Sequence, residues 1–333
     1  MRRIGRLSML AGGLSIGAAL AATPGVASAT PSIDTGSWLD ELLSGLSLPA
    51  QTAAAPLDIQ ISINGTDLFS TTDNTATATS GMGSIAIAIG DGANADASGG
   101  TLGSLGIFDL AFADGTNSSA SVGLGAFFDS AFASGTNSSA NVGLGAFFDN
   151  ATAVGTSSFA QVGIGGSLSN AFADGTNASA VAGIGKDDLA TAIGAGSSAT
   201  AGVGDSDMAT AVNGGTANGG GFLGNAFANG AGSVATTSGI SDTASVSGGN
   251  AEADAIGIGD VASIFNTGSA FDQAIAGGGI PLGSNFDLAD IFGTGSTAVA
   301  GNGGDFDLAA VFGDRLHAMA TGQNFLADIL PSL

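Results

Sequence analysis

Between Gly106 and Gly185 the chain repeats itself every twenty residues. Ala111, Ala131, Ala151 and Ala171 occupy one position of the unit, Gly115, Gly135, Gly155 and Gly175 a second, and Gly123, Gly143, Gly163 and Gly183 a third. A fixed period of this size means stacked coils, because each unit alone has too little apolar surface to fold and must bury it against its neighbours. The pattern predicts an all-β chain, a β-solenoid or β-roll with coils of about 20 residues.

The copies can be compared with one another. Two columns hold only Ala over seven units: Ala111, Ala131, Ala151, Ala171, Ala190, Ala209 and Ala226, and, two residues on, Ala113, Ala133, Ala153, Ala173, Ala192, Ala211 and Ala228. The column between them holds Phe112, Phe132, Thr152, Phe172, Thr191, Thr210 and Phe227. Side chains alternate faces along a strand. A site that takes only Ala is sterically tight, whereas a site that exchanges Phe for Thr is open. The Ala columns therefore point inward and the Phe/Thr column lies on an outer or half-covered face. The Gly closing each strand provides the positive φ that a corner requires.

Outside the array the pattern changes. The period shortens to nineteen after Gly185 (Gly185 to Gly204, Ala190 to Ala209), and a weaker copy begins at Asn225. Gly-rich runs at 214–221 and 247–249 blur the register. It returns where Phe286–Ala289 matches Phe306–Ala309, and Phe325–Leu330 reads as a last, capping copy. Upstream, Leu57–Ile63 alternates as a strand and is followed by Asn64-Gly65, a two-residue turn signal. Residues 1–29 have the form of a secretory signal that is cleaved: Arg2, Arg3 and Arg6, an apolar run from Leu7 to Ala22, and Ala27-Ser28-Ala29. Residues 30–56 hold a short amphipathic helix from Ser37, with Leu39, Leu42, Leu43 and Leu46 on one face. It serves either as a cap over the open end of the array or as a docking helix for an envelope partner. The expected division is thus 57–230 for the regular solenoid and 231–333 for a Gly-rich, less regular part.

Charge excludes several functions. The net charge is −23, and once the first 29 residues are removed only Lys186 and Arg315 remain against 28 acidic residues. Nucleic acid and anionic lipid would be repelled, and no segment of the mature chain has the length of a membrane-spanning helix. There is no Cys and a single His, His317, which removes Cys/His chemistry and most zinc sites. No catalytic residue, cofactor or metal ligand is assigned. The Gly163-Ile-Gly165-Gly166 run lacks the Lys and the strand–loop–helix setting of a phosphate loop and reads as a repeat corner. Asn117, Asn137 and Asn177 head Asn-x-Ser/Thr triplets, which matter only in a eukaryotic secretory route.

Two columns carry the functional expectations. Phe112, Phe132, Phe172 and Phe227 would form an apolar stripe for host or envelope surface components, or for a homo-oligomer, unless a loop or Phe128 and Phe148 covers it. Asp109, Asp129, Asp149, Asp188 and Asp207 form an acidic column, with Asp91, Asn94, Asp96 and Asp205 as further oxygen donors. They are read as solvated turn residues or, alternatively, as calcium ligands that stiffen a cation-binding extracellular module.

Ala190-Thr-Ala-Ile-Gly194 and Ile85-Ala-Ile-Ala-Ile-Gly90 resemble the strands of trimeric-autotransporter adhesin heads, although those repeat with a shorter period. The leader, the acidic Gly/Ala-rich body and the lack of Cys resemble secreted Gly/Ala-rich repeat proteins of mycobacterial envelopes, without the dense Gly-Gly-Ala triplets of the PE-PGRS proteins. Both resemblances imply a secreted or cell-surface, structural or adhesive role and no enzyme activity.

Overall fold

The computed structural model describes residues 58–97, 108–123, 126–144, 147–163, 168–183, 185–202, 204–266, 268, 270–277, 286–301, 306–321 and 326–329. The leader at 1–29 and the amphipathic segment at 37–46 lie outside the described residues.

The chain is an all-β solenoid. Each coil gives one strand to a fifteen-stranded sheet and one to a thirteen-stranded sheet, called here the front and back sheets. In the regular array the front strands are Leu110–Asp114, Ser130–Thr136, Asn150–Thr156 and Asn170–Thr176, and the back strands Ser119–Val122, Ser139–Val142, Phe159–Val162 and Ser179–Ala182. Every coil pairs in parallel with the next, and the two Ala columns pair with themselves: Ala131 with Ala151, Ala153 with Ala173, Ala192 with Ala211. At about 4.8 Å per strand, thirteen strands make a rod about 58 Å long.

The core is a thin layer of methyl groups between the sheets. Both Ala columns of the front sheet are buried, as are Ala120, Ala140, Ala160 and Ala180 facing them from the back sheet. Val122, Val142 and Val162 belong to the same buried layer. The column between the Ala residues is half-buried, as its Phe/Thr exchange requires. Small side chains suffice because the coil is narrow, and parallel ladders between coils supply the hydrogen bonding that so slight a core leaves to be found.

The glycines at the two strand ends have different reasons. Gly175 has φ +131° and a Cβ there would lie 2.6 Å from the Gly194 carbonyl oxygen. Gly163 needs no unusual φ, yet its Cβ would come 2.5 Å from the Gly183 carbonyl oxygen, so the close approach of stacked corners alone excludes a side chain.

The N-terminal end is closed by a hairpin. Ile59–Ile63 turns through Asn64 and Gly65, both at positive φ (54° and 76°), into Thr66–Ser70. The first strand runs antiparallel to Ile85–Ile89, the reverse of every later pairing in that sheet. Ser62 and Ser80 hydroxyls, 2.9 Å apart, and the Gly65 N–H on Ser80 Oγ at 3.0 Å tie the hairpin to the back sheet. The first strand of the back sheet is Thr77–Ser80.

The Gly-rich runs do not blur the register. Thr216–Gly219 pairs with Val234–Thr237, and Asn225–Asn229 pairs with Thr243–Ser247, so both sheets run through residue 230 without a break. What varies is coil length: the register advances by 17 residues from Ala209 to Ala226, 18 from Ala226 to Ala244 and 27 from Ala262 to Ala289. Parallel strands fix which residues pair, while the corners absorb the difference.

Candidate functional site

The acidic column is buried. Asp109, Asp129, Asp149, Asp188 and Asp207 are each 1–2% exposed, and Asp242, Asp260, Asp287 and Asp307 continue the column at 0–1%. This corrects the expectation of solvated turn residues. The reason lies one residue earlier. Phe108, Phe128, Phe148, Leu168, Asp187, Ser206 and Ser241 all hold φ between 55° and 68°, and this left-handed step rotates the following side chain, Asp in every case but Ser169, into the corner. There the carboxylate accepts a backbone N–H from the next coil: Asp129 N–H donates to Asp109 Oδ1 at 3.3 Å, Asp149 N–H to Asp129 Oδ1 at 2.7 Å, and Ser169 N–H to Asp149 Oδ1 at 2.7 Å. Farther along the rod, Asp260 N–H donates to Asp242 Oδ1 at 3.0 Å and Asp307 N–H to Asp287 Oδ1 at 2.9 Å.

Where these bonds form, the column closes a peptide hydrogen-bond gap at the corner, which would otherwise leave a buried donor unmet. The opposite corner does the same with serine. The Ser118 hydroxyl lies 2.6 Å from the Gly135 carbonyl oxygen of the next coil and 2.9 Å from its own coil's Asp114 carbonyl oxygen. Ser138 repeats the contact on Gly155.

Burial has an electrostatic consequence. Desolvation pushes the Asp109 carboxyl up to about 7, opposed by the Asp129 N–H and assisted by the Asp129 charge. Burial likewise raises Asp129 and Asp149 to about 6, each held back mainly by the N–H it accepts. At Asp188 burial acts first and the charges of Asp207, Asp149, Asp187 and Asp205 add to it, raising the group to about 7. Neither oxygen of Asp188 has a protein donor. Among the described residues no three His, Cys, Asp or Glu side chains come together in a group that could hold a metal ion. Asp91, Asn94 and Asp96 are spread along one outer turn and strand, with Asn94 in contact with the Thr77 hydroxyl.

The aromatic residues are arranged differently from the expected stripe. Phe112 and Phe132 stack at 5.0 Å, and Phe112 packs on the N-terminal cluster of Ile59, Ile61 and Ile89. Thr152 then interrupts the column, so Phe172 stands between Thr152 and Thr191, and Phe227 between Thr210 and Ser245. Phe128 and Phe148 do not end up over that stripe; they form a ladder of their own at the corner. Phe108 stacks on Phe128 at 5.1 Å and Phe128 on Phe148 at 5.2 Å, and beside them Phe127 stacks on Phe147 at 5.2 Å. Phe128, Phe147, Phe148 and Leu168 are 46–60% exposed. Toward the other end Phe286 stacks on Phe306, and Phe265 on Phe292 in register with Phe312.

Sequence spacing could have found the corner ladder, since Phe128 and Phe148 are twenty residues apart and each precedes an Asp. The missing signal was conformational, because nothing in residue type says that a Phe sits at positive φ. His317 lies at the exposed start of a back-sheet strand beside Thr297. Gly163 is a corner, as its context implies, and Gly165 and Gly166 lie outside the described residues. Asn117, Asn137 and Asn177 are left-handed corner residues preceding the buried Ser column or its equivalent, Ala178.

No helix among the described residues is long and apolar enough to cross a membrane. Compared with known proteins, the chain matches no family model, no curated protein and no solved structure, so the two resemblances rest on their short motifs alone.

Proposed function

We propose that this chain is a secreted or cell-surface structural protein, a rod that acts by adhesion and not by catalysis. The observation that carries the reading is the exposed aromatic corner. A non-glycine residue in the left-handed region costs on the order of 1–2 kcal/mol, and a bulky ring there also presents apolar surface to water. The fold itself accepts Asp187, Ser206, Ser241 and Gly259 at the same corner position. Phe108, Phe128 and Phe148 are therefore more than the corner requires, and a row of exposed rings on a stiff rod is what a contact surface needs.

Export is supported by the basic, apolar and small-residue order of the first 29 residues and by the absence of Cys. The chemistry available to an active site is sparse, with one His and two basic residues beyond the leader. Cell fractionation tests the reading: the processed chain should be found at the surface or in the medium. Replacing Phe128 and Phe148 with Asn, which tolerates the left-handed backbone, should shift it from the surface to the medium. A cytoplasmic chain, or equal surface retention of both proteins, would overturn the proposal.

A further inference from the structure

The aromatic corner lies in a stretch without surface charge. Residues 115–173 contain two charged side chains, Asp129 and Asp149, and both are 1% exposed. Roughly three consecutive coils, in a chain whose net charge is −23, thus present a neutral girdle carrying Phe127, Phe128, Phe147, Phe148 and Leu168. The second corner ladder, Phe286 and Phe306, has a different setting, with Asp290 and Asp314 nearby in the same coils.

We infer that the girdle is a self-association surface, on which the corner of a second copy of this chain packs. The inference rests on the adhesive reading above and names the partner. Charge decides first. Two chains of this net charge repel wherever their acidic surfaces face each other. The girdle lets two copies touch without opposing carboxylates, as residues 206–251 also would with Asp207 and Asp242 buried, but the girdle adds the stacked rings. A basic partner would be drawn instead to acidic surface elsewhere, such as Glu252 and Asp254.

Ring geometry decides second. Phe128 and Phe148 stack with an interplanar angle of 5°, as do Phe127 and Phe147. The ring faces turned toward one another are covered along each ladder. Sugars dock on open ring faces, and stacking leaves such faces only at the ladder ends. A ladder of stacked rings fits another apolar ladder of the same spacing, and the girdle of a second rod has that spacing because both are set by the same strand repeat.

Size decides how strong the contact is. Five residues along a few coils fall short of the roughly 800 Å² per partner of a standard stable interface. The association is weak and its strength grows when many rods are held side by side.

Sedimentation velocity of the purified full chain, from low micromolar to several hundred micromolar, tests the inference. A sedimentation coefficient that climbs with concentration, and climbs further when salt screens the residual charge, is expected. The double variant Phe128→Asp/Phe148→Asp uses a residue that the corner already holds at Asp187, at φ 59° compared with 61° and 59°. It should melt within a few degrees of the parent while its self-association weakens at least tenfold. Phe286→Asp/Phe306→Asp, at the other corner ladder, should leave association unchanged.

A parent that stays monomeric throughout, or a girdle variant that associates as the parent does, overturns the inference. Monomeric parent protein that binds phosphatidylcholine vesicles through Phe128 and Phe148 overturns it in favour of a lipid partner. Loss of surface retention in the girdle variant of such a monomer would still leave the adhesive reading standing.

Discussion

The coils between Leu110 and Ala182 and those between Asn225 and Ala320 are built on one cross-section with different freedom. In the first group each coil is twenty residues long, the corner residue is Phe before Asp or Leu168 before Ser169, and the surface is nearly free of charge. In the second, the spacing between paired Ala residues varies from 18 to 27, Glu252, Asp254 and Asp290 stand on the faces, and the position before the buried Asp changes from Ser241 to Gly259 to Phe286. Yet Ala244, Ala262, Ala289 and Ala309 remain in register and fully buried, and Asp242, Asp260 and Asp287 still cap the N–H of the next coil. The comparison separates what the rod needs from what it carries. Inward methyl columns and the corner acceptors are needed; coil length and the outer residues are free to change.

The largest effect should come from filling the methyl layer. Ala153→Leu in the regular array and Ala274→Leu in the variable one should each lose about 3 kcal/mol or more. A melting experiment in which only the first is harmed would show that the two regions do not share a core. Thr152→Leu, one residue away on the outer face, should move stability by less than about 0.5 kcal/mol.

Next in size is the corner approach. Gly163→Ala should cost about 2 kcal/mol, because the added methyl meets a backbone carbonyl that belongs to the next coil and cannot swing away. An unchanged melting temperature would mean that stacked corners yield more easily than their spacing implies.

Acidity should act on both regions alike, since the buried Asp column runs through both. Asp109, Asp129, Asp149 and Asp188 in the first region and Asp260 in the second have folded values raised to about 6–7 over an unfolded value near 3.9. Their stabilising contribution is therefore fully present below about pH 4 and disappears as the pH rises through about 6–7. The rod should melt at a higher temperature at pH 5 than at pH 8, by about 1–3 kcal/mol per independent group, before solubility falls near the isoelectric point of 4.1. Asp149→Asn keeps an acceptor for the Ser169 N–H without the charge; it should stabilise the protein at pH 8 and flatten the pH profile. A melting temperature that falls on acidification from pH 8 to pH 5 would contradict the burial of the column.

The smallest effect is expected from Phe172→Thr. That column already alternates with Thr152 and Thr191 in the neighbouring coils, so the loss should stay below about 1 kcal/mol by thermal melting.

Much of the rod was legible before any coordinates. An Ala that never varies beside a position that exchanges Phe for Thr identifies inner and outer columns, because steric room is a property of the site and repeats sample it many times over. The Asn64-Gly65 turn was legible for the same kind of reason, as few residues adopt its backbone. The corner was not. Asp149 and a solvated turn Asp are the same residue type, and only the left-handed step at Phe148 turns one of them inward toward the Ser169 N–H. The continuity past residue 230 was also hidden, since register there is held by pairing across coils of unequal length and leaves no fixed period to read.

By itself, then, the order of residues determined that this protein is a stacked, alanine-cored β rod, since periodicity and side-chain volume are both local facts. Tertiary structure alone decided which carboxylates are buried and which phenylalanines face water. Those outcomes depend on where the neighbouring coil places its backbone N–H groups and its rings, and a neighbour is a matter of space before it is a matter of sequence.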